Sequence, residues 1–69
     1  MSRVVGVEIK ATASAASRDA RHLIWVRDQL GDRFVAGIVL STGHGIYPLA
    51  ERITAVPIAA LWASRASLR

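Results

Sequence analysis

The sequence predicts an α/β fold with the element order β-α-β-β-α and a parallel βαβ crossover. Residues 3–10 place Val5, Val7 and Ile9 at alternate positions, which is the side-chain period of a strand. Residues 34–40 form an almost unbroken apolar run rich in Val, Ile and Phe, which is typical of a central strand covered on both faces. Because a helix is predicted between these strands, they should run parallel and be joined by a right-handed crossover.

A helix is predicted from about residue 14 to residue 30. Ser14 or Ser17 supplies the hydroxyl expected to cap its first turn, and Asp19 lies where a negative charge favours the positive end of the helix dipole. Gly31 follows the last helical residue and is the expected stop signal.

The predicted helix is amphipathic, so one stripe should pack on the two strands that it connects. The predicted central core combines this stripe with residues of the second strand: Leu23, Val26, Leu30, Ile38 and Leu40. Trp25 falls close to the opposite side of the helix, among Arg18, Arg21 and Asp28. Its indole is therefore a candidate contact with another molecule.

The second half of the chain predicts a strand and a short helix after a glycine-rich turn. A short segment at residues 46–49 precedes the predicted third strand, at about residues 52–56. Pro57 fits the first turn of a short C-terminal helix that runs through Trp62. Residues 63–69 form a tail.

The size and composition of the chain predict self-association. Its 69 residues include no cysteine, so we expect one small domain over residues 1–69 with no disulfide to supplement a marginal core. Apolar residues make up 52% of the chain and charged residues 20%, which is more apolar surface than one small core hides. We therefore expect a homo-oligomer with Trp25 at the interface, because a large exposed aromatic side chain is best covered by another subunit.

The net charge of +4 permits weak attraction to nucleic acid, although the basic residues are scattered along the chain. The candidate nucleic-acid contacts are Arg18, Arg21 and Arg27 on the predicted helix. No apolar run reaches the length of a membrane span, and the N-terminus lacks the apolar region of a signal peptide. We therefore expect no membrane partner and a cytoplasmic location.

The one motif with a chemical mechanism behind it is Glu8-Ile9-Lys10. Residues two apart on a strand project to the same side, so a carboxylate and an ammonium group can come together. In a metal-dependent phosphodiesterase such a carboxylate helps to hold a divalent cation, and the lysine orients or activates the attacking water. The same spacing also occurs on ordinary solvent-facing strands, so the motif alone assigns no activity.

Several short segments along the chain have the order and spacing of a known family. They are Val5-Gly6-Val7-Glu8-Ile9-Lys10-Ala11-Thr12, Asp19-Ala20-Arg21-His22-Leu23, Leu30-Gly31-Asp32-Arg33-Phe34, Gly37-Ile38-Val39-Leu40, Thr42-Gly43, Tyr47-Pro48-Leu49, Arg52-Ile53, Val56-Pro57 and Ala60-Leu61-Trp62. Together they closely resemble the end of a bacterial family of AAA-type ATPases that carry an uncharacterised C-terminal domain with a PD-(D/E)XK nuclease-like fold. The resemblance covers residues 4–62.

This resemblance implies the C-terminal half of a PD-(D/E)XK-like core, with Glu8 and Lys10 as vestigial catalytic residues. The chain has no G-x-x-x-x-G-K-[ST] sequence, so it cannot be the ATPase. No acidic residue occurs among residues 1–7, where the PD-(D/E)XK pattern needs an Asp to complete its metal site. We therefore expect a non-catalytic, self-associating small protein derived from such a domain, with no metal and no other cofactor.

Two alternatives come from other functional classes. The first is a small nucleic-acid-binding or regulatory protein that uses the arginines of the helix. The second is a metal-dependent nuclease whose missing acid comes from a partner chain. His22 and His44 have no second ligand at metal-binding spacing and add support to neither.

Overall fold

The computed structural model describes residues 2–60 of the protein. Its main elements are a four-stranded sheet and one helix, α1 (Arg21–Leu30). The strands are β1 (Val4–Ile9), β2 (Phe34–Ser41), β3 (Tyr47–Ala50) and β4 (Ile53–Pro57). The predicted α/β class is confirmed.

The strands lie in the order β1-β2-β4-β3. β1 and β2 are parallel, as are β2 and β4, whereas β3 pairs antiparallel with β4. The parallel arrangement predicted for the strands on either side of the helix is therefore confirmed. The predicted third strand is β4, and the short segment before it, for which the sequence predicts no strand, forms β3 at one edge of the sheet.

The helical region begins later than the predicted residue 14. A 3-10 turn at Ser17–Ala20 precedes α1, and the backbone N–H of Ala16 donates to the Asp19 carboxylate at 2.8 Å. The capping role predicted for Ser14 or Ser17 is wrong. Ser17 donates its hydroxyl to a β3 carbonyl at 3.1 Å instead, and Ser14 lies before the turn.

The predicted end of α1 at Gly31 is confirmed, and this glycine has a positive φ of 57°, which residues with a side chain rarely adopt. A second 3-10 turn, Gly31–Arg33, leads into β2. Arg52 donates from Nη1 to the carbonyls of Gly31 and Phe34, at 3.1 Å and 2.6 Å. This guanidinium ties the connection between α1 and β2 to the turn before β4.

The core lies between α1 and one face of the sheet, where the helix packs against β1 and β2. Its buried members are Ala15, Ala20, Leu23, Phe34, Val39, Ile53 and Ala55. Val26 and Leu30 are partly buried against them. The predicted helix stripe therefore does face the sheet.

The predicted burial of Leu40 is confirmed, since this residue is 6% exposed, whereas Ile38 is only half-buried, and neither belongs to the cluster under α1. Val39 points toward α1 and is fully buried in the core. Because successive strand residues point to opposite faces, Ile38 and Leu40 point away from the helix. On that opposite face Leu40 is buried and Ile38 is half-buried.

The predicted C-terminal helix begins as expected, since residues 58–60 are helical after Pro57. Trp62 and the tail at residues 63–69 lie outside the described residues. Within the part of the chain that the structure describes, no helix has the length and apolar character needed to cross a bilayer.

Candidate interaction surface

Glu8 and Lys10, the predicted remnants of a catalytic pair, lie at the carboxyl end of β1. Glu8 faces α1, where its Oε1 is 3.6 Å from Nδ1 of His22. Lys10 follows β1 and continues its pairing with β2, because its backbone N–H donates to the Leu40 carbonyl at 2.9 Å. The Glu8 carboxylate thus has a side chain of α1 as its neighbour.

Two other acidic side chains have local partners of their own. Asp19 accepts a backbone hydrogen bond from Ala16, and Asp28 lies 3.1 Å from Nη2 of Arg27. Across residues 2–60 no three His, Cys, Asp or Glu side chains come together as ligands for a metal ion. A cation at Glu8 would meet one protein carboxylate, which is fewer oxygen ligands than hard divalent cations usually take.

Of the three arginines predicted as nucleic-acid contacts, Arg27 is engaged within the chain. Its Nη1 donates to the carbonyl of Glu51 at 3.0 Å, and its side chain, paired with Asp28, is only 16% exposed. Arg18 and Arg21 are exposed. The helical segment therefore offers Arg18 and Arg21 to a ligand more readily than Arg27.

The predicted exposure of Trp25 is confirmed, since 64% of this residue is accessible to solvent. Trp25 lies one helical turn after Arg21 and His22, on the side of α1 that points away from Leu23. His22 is exposed and reaches β1 through its contact with Glu8. Trp25 therefore borders the side of the helix that overhangs β1.

The face of β1 opposite α1 is an apolar surface. Val5, Val7 and Ile9 are exposed by 56%, 57% and 67%, and we refer to these three residues as the β1 apolar row. Their partners in register on β2 are Ala36, Ile38 and Leu40. These partners are apolar as well, but Leu40 is buried and Ala36 and Ile38 are half-buried, so the exposed part of this face is the β1 apolar row itself.

The sequence of β1 alternates apolar residues with Gly6 and Glu8, but this alternation alone does not indicate which face of the strand the helix covers. The signal lies in Gly6 and Gly37, which are partners across β1 and β2. A Cβ at Gly6 would come within 2.6 Å of Cδ2 of Leu23. Glycines in register on neighbouring strands leave room for a helix side chain, so the Gly6 face is the packed one and the β1 apolar row is the open one.

β1 also has an open backbone edge, since β2 is its only neighbouring strand within residues 2–60. The Lys10 N–H points to β2, and the direction of the backbone groups alternates along a strand. Glu8 and Gly6 therefore turn their N–H and C=O groups to β2 as well. Those of Val5, Val7 and Ile9 point outward, so one set of residues supplies both the apolar side chains and the open hydrogen-bonding groups.

Comparison with known proteins identifies the family. Residues 1–61 match the family model described as Domain of unknown function (DUF4143). The chain belongs to this family. No curated protein and no solved structure matches it.

Two surfaces of this DUF4143 chain are suited to binding. The β1 surface combines apolar side chains with unpaired backbone groups, which is the combination that another strand can satisfy. The surface around Trp25 combines an aromatic ring with Arg21, one turn earlier on α1, and exposed Arg18 lies in the 3-10 turn before the helix; such groups can contact either a protein or a nucleic acid. The first surface has three exposed apolar side chains, whereas the second has Trp25.

Proposed function

We propose that this DUF4143 chain is a non-catalytic association module that binds a second copy of itself through the β1 surface. The observation that carries the proposal is the exposure of the whole β1 apolar row beside an open backbone edge. Exposed strand edges of this kind bind other strands readily, and natural proteins normally protect them with charged residues, proline or a covering segment. In β1 every residue that faces the open edge is apolar.

The energetics favour burial of this row. Burying a Val or Ile side chain contributes roughly 1.5 to 3 kcal/mol, whereas an exposed salt bridge typically contributes about 0 to 1 kcal/mol. The cluster under α1 has seven buried residues within residues 2–60, and a domain of about this size is only marginally stable. Association would therefore add a substantial part of the stability of the folded chain.

Sedimentation equilibrium at micromolar concentration tests the proposal, and we expect a mass above that of the 7.4 kDa monomer. Ile9→Ser should weaken association by about tenfold or more, because it removes one buried aliphatic group from the interface. Ile46→Ser is the matched control, since Ile46 is also 67% exposed but lies in the loop before β3. A folded monomer at these concentrations, or equal effects of both substitutions, would contradict the proposal.

The non-catalytic part of the proposal treats Glu8 and Lys10 as remnants of a PD-(D/E)XK-type site. One carboxylate beside His22 is a poor site for Mg²⁺ or Mn²⁺, so calorimetric titration should detect no binding tighter than about millimolar, the weak end of oxygen-ligand sites. Glu8→Ala should leave the titration unchanged. A micromolar site, or metal-dependent cleavage of DNA, that is lost in Glu8→Ala would instead support a nuclease completed by a partner chain.

Trp25 is exposed, as are Arg21 one turn before it and Arg18 in the preceding 3-10 turn. This exposure favours a second candidate function, the binding of single-stranded nucleic acid by stacking and phosphate contacts. Fluorescence anisotropy with a labelled oligonucleotide should then show binding that weakens steeply as salt is raised. Arg21→Ala should weaken it more than Arg3→Ala, which removes the same charge from an exposed residue before β1. Equal effects would indicate attraction by net charge alone.

A further inference from the structure

We infer that two copies of this chain pair antiparallel along β1, with a two-fold axis that passes beside Val7. This inference rests on the proposed self-association and adds its geometry. The two sheets would join into one continuous sheet, with the α1 helices of both copies side by side on one face. A two-fold arrangement is closed, because it uses the same surface on both copies.

The backbone of β1 is self-complementary in this register. Val5, Val7 and Ile9 carry the outward N–H and C=O groups, and Val7 lies midway between the other two. With the axis at Val7, this residue exchanges both hydrogen bonds with Val7 of the second copy, and Val5 does so with Ile9. Every outward group of the three residues then has a partner.

The side chains fit the same register. Directly opposite residues interact on the same face of an antiparallel pair, so Val5 meets Ile9 and Val7 meets its own copy within one apolar strip. On the helix side, Glu8 lies opposite Gly6, which has no side chain to obstruct it. An axis at Glu8 would instead place two carboxylates opposite each other, and like charges in that position are unfavourable. The Val7 register avoids this repulsion.

The helices reinforce the pairing. α1 packs over β1 and β2, and adjacent strands are about 4.8 Å apart, so the two α1 axes would be about 10 Å apart across the two-fold axis. That separation falls at the upper end of ordinary helix packing, about 8 to 10 Å. His22 contacts Glu8, the neighbour of Val7, so the helices approach each other near His22. Trp25, one turn further along, lies beside the second helix.

The contact between the helices increases the area that the interface buries. Stable interfaces bury about 1,200 Å² or more in total, and one short pair of strands buries little side-chain area on its own. An indole packed against the second α1 adds apolar area where Arg21 and His22 also lie, and an arginine can pack over an indole ring. The strand edge sets the register and the helix flank enlarges the contact.

Cysteine cross-linking tests the register, because the natural chain has no cysteine. Hydrogen-bonded antiparallel partners have Cα atoms about 5.5 Å apart, within the range that a disulfide spans, and a shift of the two backbones by about 1 Å brings their Cβ atoms within bonding reach. Val7→Cys should therefore cross-link to itself under mild oxidation. Val5→Cys alone and Ile9→Cys alone should form no disulfide-linked dimer, whereas a mixture of the two variants should form one. Val35→Cys, an exposed β2 position, is the control that should not cross-link.

A charge swap supplies an independent test that needs no disulfide. Val7→Lys and Val7→Glu should each weaken dimerisation by about tenfold or more, because each places like charges opposite one another. An equimolar mixture should restore it, since the opposite charges then face each other. Val7 is 57% exposed in the single chain, so both variants should retain the circular dichroism spectrum of the folded protein.

The outcomes separate the geometry from the proposed function. Self-cross-linking of Val7→Cys with rescue by the charge mixture supports the two-fold β1 pairing. A natural chain that is oligomeric, while Val7→Cys stays uncross-linked and the mixture gives no rescue, overturns this geometry but leaves self-association intact. A monomeric natural chain overturns both, and the β1 edge would then belong to another partner.

Discussion

At the scale of single residues, two glycines determine how closely α1 approaches the sheet. Gly6 and Gly37 are partners on β1 and β2, and the side chain of Leu23 lies over both. The gap that they leave lets a leucine from the helix reach the backbone of the sheet. The absence of two Cβ atoms is therefore part of the packing of the core.

Gly37→Ala should destabilise the protein. A Cβ there would lie 2.9 Å from Phe34 Cζ and 3.1 Å from Ile53 Cγ1, and both side chains are fully buried with little room to move. Overpacking of this kind typically costs about 1 to 3 kcal/mol. Chemical denaturation should show the loss as a lower midpoint of unfolding.

Gly45→Ala is the matched control for this substitution. Its nearest atoms would be ring carbons of Tyr47 at 3.4 and 3.6 Å, which are ordinary contacts, so the stability should change by no more than about 0.5 kcal/mol. Equal effects of the two alanines would show that the packing around Gly37 has room for a Cβ.

At the scale of elements, the two faces of β2 differ in what covers them. Leu23 of α1 packs on one face together with Val39, whereas Ile38 lies on the other. Leu23→Ala should cost about 2 to 5 kcal/mol, the usual range for a buried leucine. Ile38→Ala should cost less than half as much, because Ile38 is only half-buried.

Thermal unfolding of both variants, at a concentration low enough to keep the chain monomeric, measures this difference between the faces. At high concentration the cost of Ile38→Ala should rise if a second copy or another segment covers the open face, because more apolar surface is then buried at that residue. Equal melting temperatures for the two variants at low concentration would mean that Leu23, under the helix, contributes no more to stability than Ile38 on the other face of β2.

Local patterns in the sequence were sufficient to predict much of the fold. Alternation in β1, the apolar run of β2 and Gly31 at the end of α1 each depend on neighbouring residues, and the structure has all three features. Local sequence does not predict the start of the helix, because the Ser17 hydroxyl donates to the carbonyl of Leu49, 32 residues away. Pro48 argues against a strand, because proline is uncommon inside a sheet, but β3 lies at an edge of the sheet, where proline is tolerated.

The candidate site was predictable to the same extent. Helical phase alone predicted that Trp25 would be exposed, and it is. The alternation of side chains along β1 puts Glu8 on the face opposite the β1 apolar row. The contact of its carboxylate with His22 depends on how α1 packs on the sheet. The internal bonding of Arg27 could not be foreseen either, because its acceptor is the carbonyl of Glu51, distant in sequence.

At the scale of the whole molecule, the described chain is a sheet with a helix on one face and an apolar row on the other. The helix covers one side of β1 and β2, and on the other side β1 is exposed although Leu40 of β2 is buried, whereas parallel strands are usually covered on both sides. The second side and the open β1 edge are next to each other. One partner can therefore cover the exposed side of the sheet and the β1 edge together.

Trp25→Ala should weaken self-association by about tenfold or more, because burial of a large aromatic side chain contributes roughly 1.5 to 3 kcal/mol. Trp25 points away from Leu23 and is 64% exposed, so its loss should leave the helix content of the chain, measured by circular dichroism, unchanged. Ile46→Ala removes an exposed apolar side chain from a loop and should leave association as it was. Sedimentation of the three proteins over the same concentrations provides the comparison.

If Trp25→Ala and the natural chain form the same oligomer equally well, the indole lies outside the interface. The strand edge would then hold the copies together without the helices, and Trp25 would remain available to stack on nucleic acid.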